Sequence, residues 1–248
     1  MPSATLLGQS LLSGVFIGAL YGLLGLGLSL SWGMLRQVNL AHFALAFLGG
    51  YLTFQLAGRM DPFVTLGLTT IIEAGIQRIW TADFQRMESA YGAIRWKVGA
   101  FYIPFPELLT LILAMALCGA MWALLRFTDF GRAARAMTED APMAAAFGVN
   151  EKRLGYVISG LAAAFAAVAG LCLALTHTLA PVQIYAWMGV VFAAVMIGGL
   201  GSALGPLLAG VLIGVSEALT MAVTAPTWAP LVSFSLLIAI IIFRPARF

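Results

Sequence analysis

Long apolar runs constrain the fold of this chain more than any other feature. The first extends from about Leu6 to Leu30, which is enough residues to cross a bilayer as a helix. Hydrophobic residues make up 62% of the sequence and charged residues 9%, whereas soluble proteins carry roughly 25% charged residues. The runs contain Gly and Pro and do not alternate between apolar and polar as barrel strands do. We therefore predict an all-α, polytopic transmembrane helical bundle that forms a single domain over residues 1–248.

The spacing of the apolar runs predicts about eight membrane segments, some of them broken or re-entrant. The run from Phe63 to Trp80 is a poor span, because Glu73, Gln77 and Arg78 lie in its second half. A charge at the centre of a span costs roughly 2.5 to 3.5 kcal/mol on insertion scales. The predicted segments after the first are 42–57, 63–80, 107–125, 154–175, 188–200, 207–221 and 228–243.

Three glycines in the first run, Gly14, Gly18 and Gly22, are spaced four residues apart. This spacing places them on one stripe of a helix, where a neighbouring backbone can approach closely. The stripe predicts a helix-packing face and indicates no particular function.

Residues 127–153 form a long polar interruption in the apolar second half of the chain. Thr138 is predicted to N-cap a short helix in which Pro142 lies in the first turn, and Gly148 is predicted to end it. Met143, Ala146 and Phe147 would then share one apolar face. Two interpretations remain open: this face docks on another protein, or the segment is a connector whose face packs on its own helix ends.

Polar residues inside predicted membrane segments are candidates for a functional site. Asn39 and His42 would lie one turn apart at the start of the second segment, and Glu217 is the one acid in an apolar run of the second half. Alternatively, Asn39 caps the helix and His42 bonds to a carbonyl group of a neighbouring helix. His177, at the end of the 154–175 segment, fits an interfacial position.

The run Gly198-Gly-Leu-Gly-Ser-Ala-Leu-Gly-Pro206 cannot continue as one regular helix. Broken helices at membrane depth offer free N–H groups to a carboxylate, which makes Gly199, Gly201 and Ser202 candidates for a translocation path. The alternative is a tight turn between two spans. No lysine follows the glycines, so a phosphate-binding loop is not indicated.

No set of residues that carries enzymatic chemistry is evident. The sequence shows no Ser, His and Asp arrangement, no metal-ligand spacing and no nucleotide-binding motif, and Cys118 and Cys172 both lie inside apolar runs. The net charge is only +3. Because basic residues are expected beside the cytoplasmic ends of membrane helices, they do not indicate nucleic-acid binding. We predict a chain that is not an enzyme and has no cofactor of its own.

Three further motifs are specific in combination: Trp32-Gly-Met-Leu-Arg-Gln-Val-Asn-Leu-Ala-His42 with Gly-Gly-Tyr51 after it, Phe130-Gly-Arg-Ala-Ala-Arg-Ala136, and the glycine run that ends at Pro206. Together they resemble the permease subunits of ATP-binding cassette importers for branched-chain and other hydrophobic amino acids. The sequence departs from the family pattern at Phe43, where glycine is usual, and at Pro206, where alanine is usual.

The resemblance implies that residues 127–153 are cytoplasmic and contain a coupling helix that contacts a separate ATPase. It also implies a second permease subunit, two ATPase subunits that bind ATP and Mg, and a solute-binding protein for which the external loop of about 77–104 is a candidate contact. The protein would lie in the inner membrane with its C-terminus in the cytoplasm. The implied ATPase contacts are Glu139, Asp140, Met143, Ala146, Phe147 and Gly148. The implied translocation path includes Asn39, His42, Gly199, Gly201, Ser202 and Glu217.

The family pattern places one more membrane passage between the residues that match Thr70 and Ile71, so a segment is expected to be missing there. Restoring that passage would also place Arg36 on the cytoplasmic side, as basic residues prefer. The alternative function is an ion- or proton-coupled secondary transporter or a channel, in which Asn39, His42 and Glu217 would form the ion path. The sequence does not identify the solute.

Overall fold

The computed structural model describes residues 3–35, 94–178, 183–224 and 228–243, together with the isolated helical positions 71, 74, 75 and 78. In these four ranges the chain forms eight helices and one β-hairpin. In chain order they are α1 (Ala4–Leu35), β1 (Arg95–Val98), β2 (Phe101–Pro104), α2 (Phe105–Phe127), α3 (Asp129–Glu139), α4 (Ala141–Ala146), α5 (Glu151–Thr176), α6 (Gln183–Gly198), α7 (Gly205–Val223) and α8 (Ala229–Phe243).

Four of the described helices, α1, α2, α5 and α7, are long and apolar enough to cross a membrane, and α6 contains a shorter apolar stretch. This confirms the predicted all-α, polytopic membrane class. The predicted segments 42–57 and 63–80 lie outside the described residues apart from the isolated positions. The predicted number of about eight segments therefore stays a prediction.

Local sequence explains where the helices begin. Pro106 lies in the first turn of α2 and Pro206 in the first turn of α7, where the missing N–H group removes no helix bond. The Asn150 side chain accepts a hydrogen bond of 3.0 Å from the backbone N–H of Arg153 and so caps α5.

Helix α1 is the most buried of the four spans and packs closely along α7. A Cβ atom added at Gly14 would lie 2.6 Å from Val215 Cα, and one added at Gly22 would lie 2.5 Å from Leu207 Cα. The order of these contacts shows that the two helices are antiparallel. The glycine stripe of α1 is therefore a packing face, as predicted, and its partner is α7.

The hairpin and the α3–α4 segment lie at opposite ends of the bundle. Near the beginning of α1, the Gln9 side chain donates to the Tyr102 carbonyl oxygen at 2.9 Å and accepts from the Tyr102 N–H at 3.1 Å. Near the end of α1, Met34 belongs to the same buried cluster as Ala134 of α3. Helix α2 runs in the same direction, from the hairpin to α3.

The predicted N-cap at Thr138 is wrong, because this residue lies inside α3. Its hydroxyl group donates to the Arg135 carbonyl oxygen at 2.7 Å, as hydroxyl groups do within helices. Helix α3 continues to Glu139 because Phe130, Ala133 and Met137 form an apolar face packed on the buried cluster. The next helix, α4, begins after Asp140 instead.

The two polar loops contain regular structure. The segment 127–153 holds α3 and α4, and the described part of the 77–104 loop holds the hairpin. Cys118 and Cys172, which lie inside apolar runs of the sequence, are both buried.

Candidate functional site

Helix α4 is a six-residue helix with well-defined ends. The Asp140 carboxylate accepts a hydrogen bond of 3.1 Å from the Met143 N–H, and Pro142 lies in the first turn. Gly148 has φ +89°, and its N–H donates to the Ala145 carbonyl oxygen at 3.0 Å, which ends the helix. The predicted start therefore moves from Thr138 to Asp140, whereas the end at Gly148 is confirmed.

The apolar residues of α4 and its C-cap face outward at the end of the bundle. Phe147 is 84% exposed and Met143 is 56% exposed, and Ala146 is also exposed. Ala144 is the buried member of the helix. Large apolar side chains so exposed outside a membrane span are typical of an interaction surface. Of the two interpretations left open by the sequence, this geometry favours docking on another protein.

The corner between α2 and α3 fixes the position of the α4 segment. The Thr128 hydroxyl group donates to the Leu124 carbonyl oxygen at 2.6 Å and accepts from the Gly131 N–H at 3.3 Å. Arg135 donates from Nη1 to the Leu125 carbonyl oxygen at 2.8 Å. The Leu124 carbonyl oxygen also accepts from the Thr128 N–H at 3.3 Å, whereas the Arg135 bond satisfies the Leu125 carbonyl group in the last turn of α2.

The glycine-rich run forms a tight turn between α6 and α7, packed on the end of α1. Gly199 and Gly201 have φ of +90° and +74°, a conformation that glycine adopts without strain. The Ser29 hydroxyl group donates to the carbonyl oxygens of Gly199 at 3.3 Å and Ser202 at 3.1 Å. The Ser202 hydroxyl group accepts from the Gly205 N–H at 2.9 Å and so satisfies the start of α7. The geometry favours the tight-turn interpretation, and the role of these residues in translocation stays a prediction.

Glu217 lies in a buried contact between α1 and α7. The Tyr21 hydroxyl group donates to Glu217 Oε2 at 2.9 Å. The Tyr21 ring packs edge-to-face on Trp187 of α6 at 5.6 Å, and Trp187 packs in the same manner on His177 at 4.9 Å. Glu217 thus bonds directly to α1 through Tyr21. The ring contacts of Tyr21 extend this chain of contacts to α6 and to the end of α5.

The sequence did not identify Tyr21 as the partner of Glu217. One signal was present: a tyrosine in a long apolar run needs a partner for its hydroxyl group when it is buried. His177 is half-buried at the C-cap of α5, and burial lowers the pKa of its imidazole. Asn39 and His42 lie outside the described residues, so their predicted contact is untested.

Within the described ranges, no group of three or more His, Cys, Asp or Glu residues is placed to hold a metal ion. The polar groups described above bind one another and backbone atoms. Their arrangement supports helix packing and a docking surface.

Comparison with known proteins identifies relatives over nearly the whole chain. The high-affinity branched-chain amino acid transport system permease protein LivH of Escherichia coli K12 is 25% identical over 291 aligned positions, which cover 96% of this chain and 93% of the relative. LivH of Salmonella typhimurium LT2 gives the same identity and coverage, and BraD of Pseudomonas aeruginosa is 23% identical over 96% of this chain and 94% of its own length. No solved structure matches the chain.

The alignment with LivH has 291 positions, more than the 248 residues of the whole chain. The relative therefore contains residues that have no counterpart here, in agreement with the predicted missing segment. Its predicted place, before Ile71, falls among residues that the structure does not describe.

The sequence model of one family matches residues 59–241, about three quarters of the chain. The family consists of transport permeases and not of enzymes, in agreement with the prediction from the sequence. This chain belongs to the family of permease components of branched-chain amino acid transport systems.

Proposed function

We propose that this chain is the transmembrane permease subunit of an ATP-binding cassette importer. Its substrates would be branched-chain or other hydrophobic amino acids, or related small carboxylates, carried inward across the inner membrane. The observation that carries the proposal is the exposed apolar surface of α4 at the end of the bundle, which is the form expected of a contact with a partner protein. The names of the relatives support the substrate class.

In this proposal α4 is the coupling helix and inserts into a cleft of a cytoplasmic ATPase. Phe147 and Met143 would supply most of the buried contact area, because aromatic and methionine side chains dominate the cores of protein interfaces. ATP and Mg would be bound by the two ATPase subunits, and this chain would hold neither. The proposed contact residues are Glu139, Asp140, Met143, Ala146, Phe147 and Gly148.

The arrangement of the helices supports a single orientation in the membrane. Arg132, Arg135, Lys152 and Arg153 all lie near the α4 end of the bundle, which is expected for the cytoplasmic side. Helix α7 leads from that end to the hairpin end, and α8 follows it, so the C-terminus would also be cytoplasmic. The hairpin would lie on the external side of the membrane, where a solute-binding protein would dock. A second permease subunit would complete the pore.

The test compares two double variants of the permease expressed with its ATPases. We expect the Met143→Ala, Phe147→Ala variant to reduce ATPase co-purification and solute uptake by roughly tenfold or more, because truncating central apolar contacts costs that much in affinity. The control is Met115→Ala with Phe234→Ala, since Met115 is 59% exposed and Phe234 45% exposed on membrane helices.

Asp140 is unsuitable for this test because its replacement would also remove the N-cap of α4. Undiminished ATPase binding by the α4 variant would contradict the proposal. Uptake that continues without ATP and stops when the proton gradient is dissipated would instead establish the secondary-transporter alternative.

A further inference from the structure

We infer that Arg135 is a positioning residue that transmits the movement of α4 to the transmembrane helix α2. This inference rests on the proposed function, because it assigns a role in coupling to a residue outside the ATPase contact itself. It follows from the hydrogen bonds and packing at the corner where α2 meets α3.

The Arg135 guanidinium group ties two helices together across ten positions of sequence. It donates from Nη1 to the Leu125 carbonyl oxygen at 2.8 Å. The carbonyl groups in the last turn of a helix carry partial negative charge and have no helical N–H partner. A cation that bonds to one of them satisfies it and also links α3 to the end of the membrane span.

Gly131 makes the corner compact enough for this bond. Its backbone lies directly against the Leu125 carbonyl group, and a Cβ atom at this position would overlap the Leu125 backbone. Thr128 adds a second link, because its hydroxyl group bonds to Leu124 of α2 and accepts from the Gly131 N–H. The main chains of α2 and α3 are therefore in direct contact at this corner.

Helices α3 and α4 are joined through a single residue, Asp140. Its N–H donates to the Ala136 carbonyl oxygen at 3.0 Å, which ends α3, and its carboxylate caps α4. Because a single residue, bonded to both helices, separates α3 from α4, a displacement of α4 would carry α3 with it. The displacement then reaches the membrane through the corner that Arg135 closes.

A matched control lies one turn earlier on the same helix. Arg132 has the same side chain, is 67% exposed, and pairs with Asp129 of its own helix, so its bond does not cross to α2. Both arginines belong to the Phe130-Gly-Arg-Ala-Ala-Arg-Ala136 motif, and the structure gives them different partners.

The first experiment measures ATP hydrolysed per solute molecule imported, using the complete assembly in proteoliposomes. We expect Arg135→Ala to raise this ratio by roughly tenfold, the effect of losing one charge-assisted hydrogen bond that couples the two helices. Arg135→Lys keeps a cation that can reach the same carbonyl group and should restore most of the coupling, and Arg132→Ala should leave the ratio unchanged. Equal ratios for Arg135→Ala and Arg132→Ala would overturn the inference.

The second experiment needs only the permease. It therefore tests the inference even if the Arg135→Ala variant assembles poorly with the ATPase subunits. Spin labels at Ala145→Cys on α4 and Met115→Cys on α2, both exposed positions, report the distance between the two helices. We expect Arg135→Ala to broaden the distance distribution and Arg132→Ala to leave it narrow. An unchanged distribution would refute the positioning role, whereas failure of the unaltered permease to bind any ATPase would refute the proposed function.

Discussion

Glu217 shows how a single acid is accommodated in a membrane helix. It is 7% exposed, and burying a carboxyl group without a hydrogen-bond partner in such a place is costly. Tyr21 provides a donor from α1, and the bond crosses the same interface in which the glycines of α1 and α7 meet. The pair therefore stabilises the contact between two membrane helices.

At the residue scale, we predict that Tyr21→Phe lowers the free energy of unfolding by about 0.5 to 2 kcal/mol, the range for a buried side-chain hydrogen bond in a membrane protein. The ring and its packing on Trp187 are retained, so the change isolates the hydroxyl group. Thermal unfolding in detergent measures the effect. Tyr102→Phe is the control, because Tyr102 is half-exposed on the hairpin. Equal melting temperatures for the two variants would show that the Tyr21 hydroxyl group contributes nothing to stability.

The start of α4 shows what single-residue patterns leave undecided. Thr138 and Asp140 are both good N-cap residues, and each precedes a possible helix. The choice depends on where α3 ends, and α3 is held by the packing of Phe130 and Met137 on residues of three other helices. Such tertiary contacts override a local preference, and they could not be read from the segment alone.

At the element scale, the sequence predicted the face of α1 that packs on α7, but it did not predict which helix packs on that face. The four-residue spacing of Gly14, Gly18 and Gly22 identified the face on α1. The partner was not evident, because α5, α6 and α7 are all rich in small residues. In the structure the partner is α7, whose Gly210 and Gly214 lie against the glycines of α1 in the same contact.

We predict that Gly18→Ala destabilises the protein by about 1 to 3 kcal/mol, the usual cost of inserting an atom into a well-packed interface. The added Cβ atom would meet the backbone of Gly210 and Val211. Gly119→Ala is the matched control, because a Cβ atom there has nothing within 4 Å and alanine favours the helix by up to about 1 kcal/mol. Unfolding of the two purified variants provides the comparison. An equal loss of stability in the two variants would contradict the close backbone contact between α1 and α7.

At the scale of the whole molecule, composition was enough to predict the membrane class, and motifs were enough to predict the family. The corner of α2 and α3 was not predictable, because Arg135 and Leu125 are brought together by a turn whose geometry depends on Gly131. Two residues of the predicted translocation path, Asn39 and His42, lie outside the described residues, in the segment between α1 and the hairpin.

The hairpin and α4 should be separated by the full thickness of the membrane. Helix α2 connects their two ends with 23 residues, which at about 1.5 Å per residue span the roughly 30 Å hydrocarbon core. We predict that Lys97→Cys reacts with a membrane-impermeant maleimide in intact spheroplasts, whereas Phe147→Cys reacts only after permeabilisation. The unaltered chain is the background control, because Cys118 and Cys172 are buried.

Expressing the permease without its ATPases keeps Phe147 free to react, and adding them back should then protect it from the reagent. Labelling of Phe147→Cys in intact spheroplasts would place α4 outside the cell, where no ATPase can reach it. Labelling of both positions from the same side would contradict the separation of the two ends by the bundle. Protection of Phe147→Cys by ATPase, without protection of Lys97→Cys, would support both the orientation and the docking surface, because a general fall in reactivity would affect both positions.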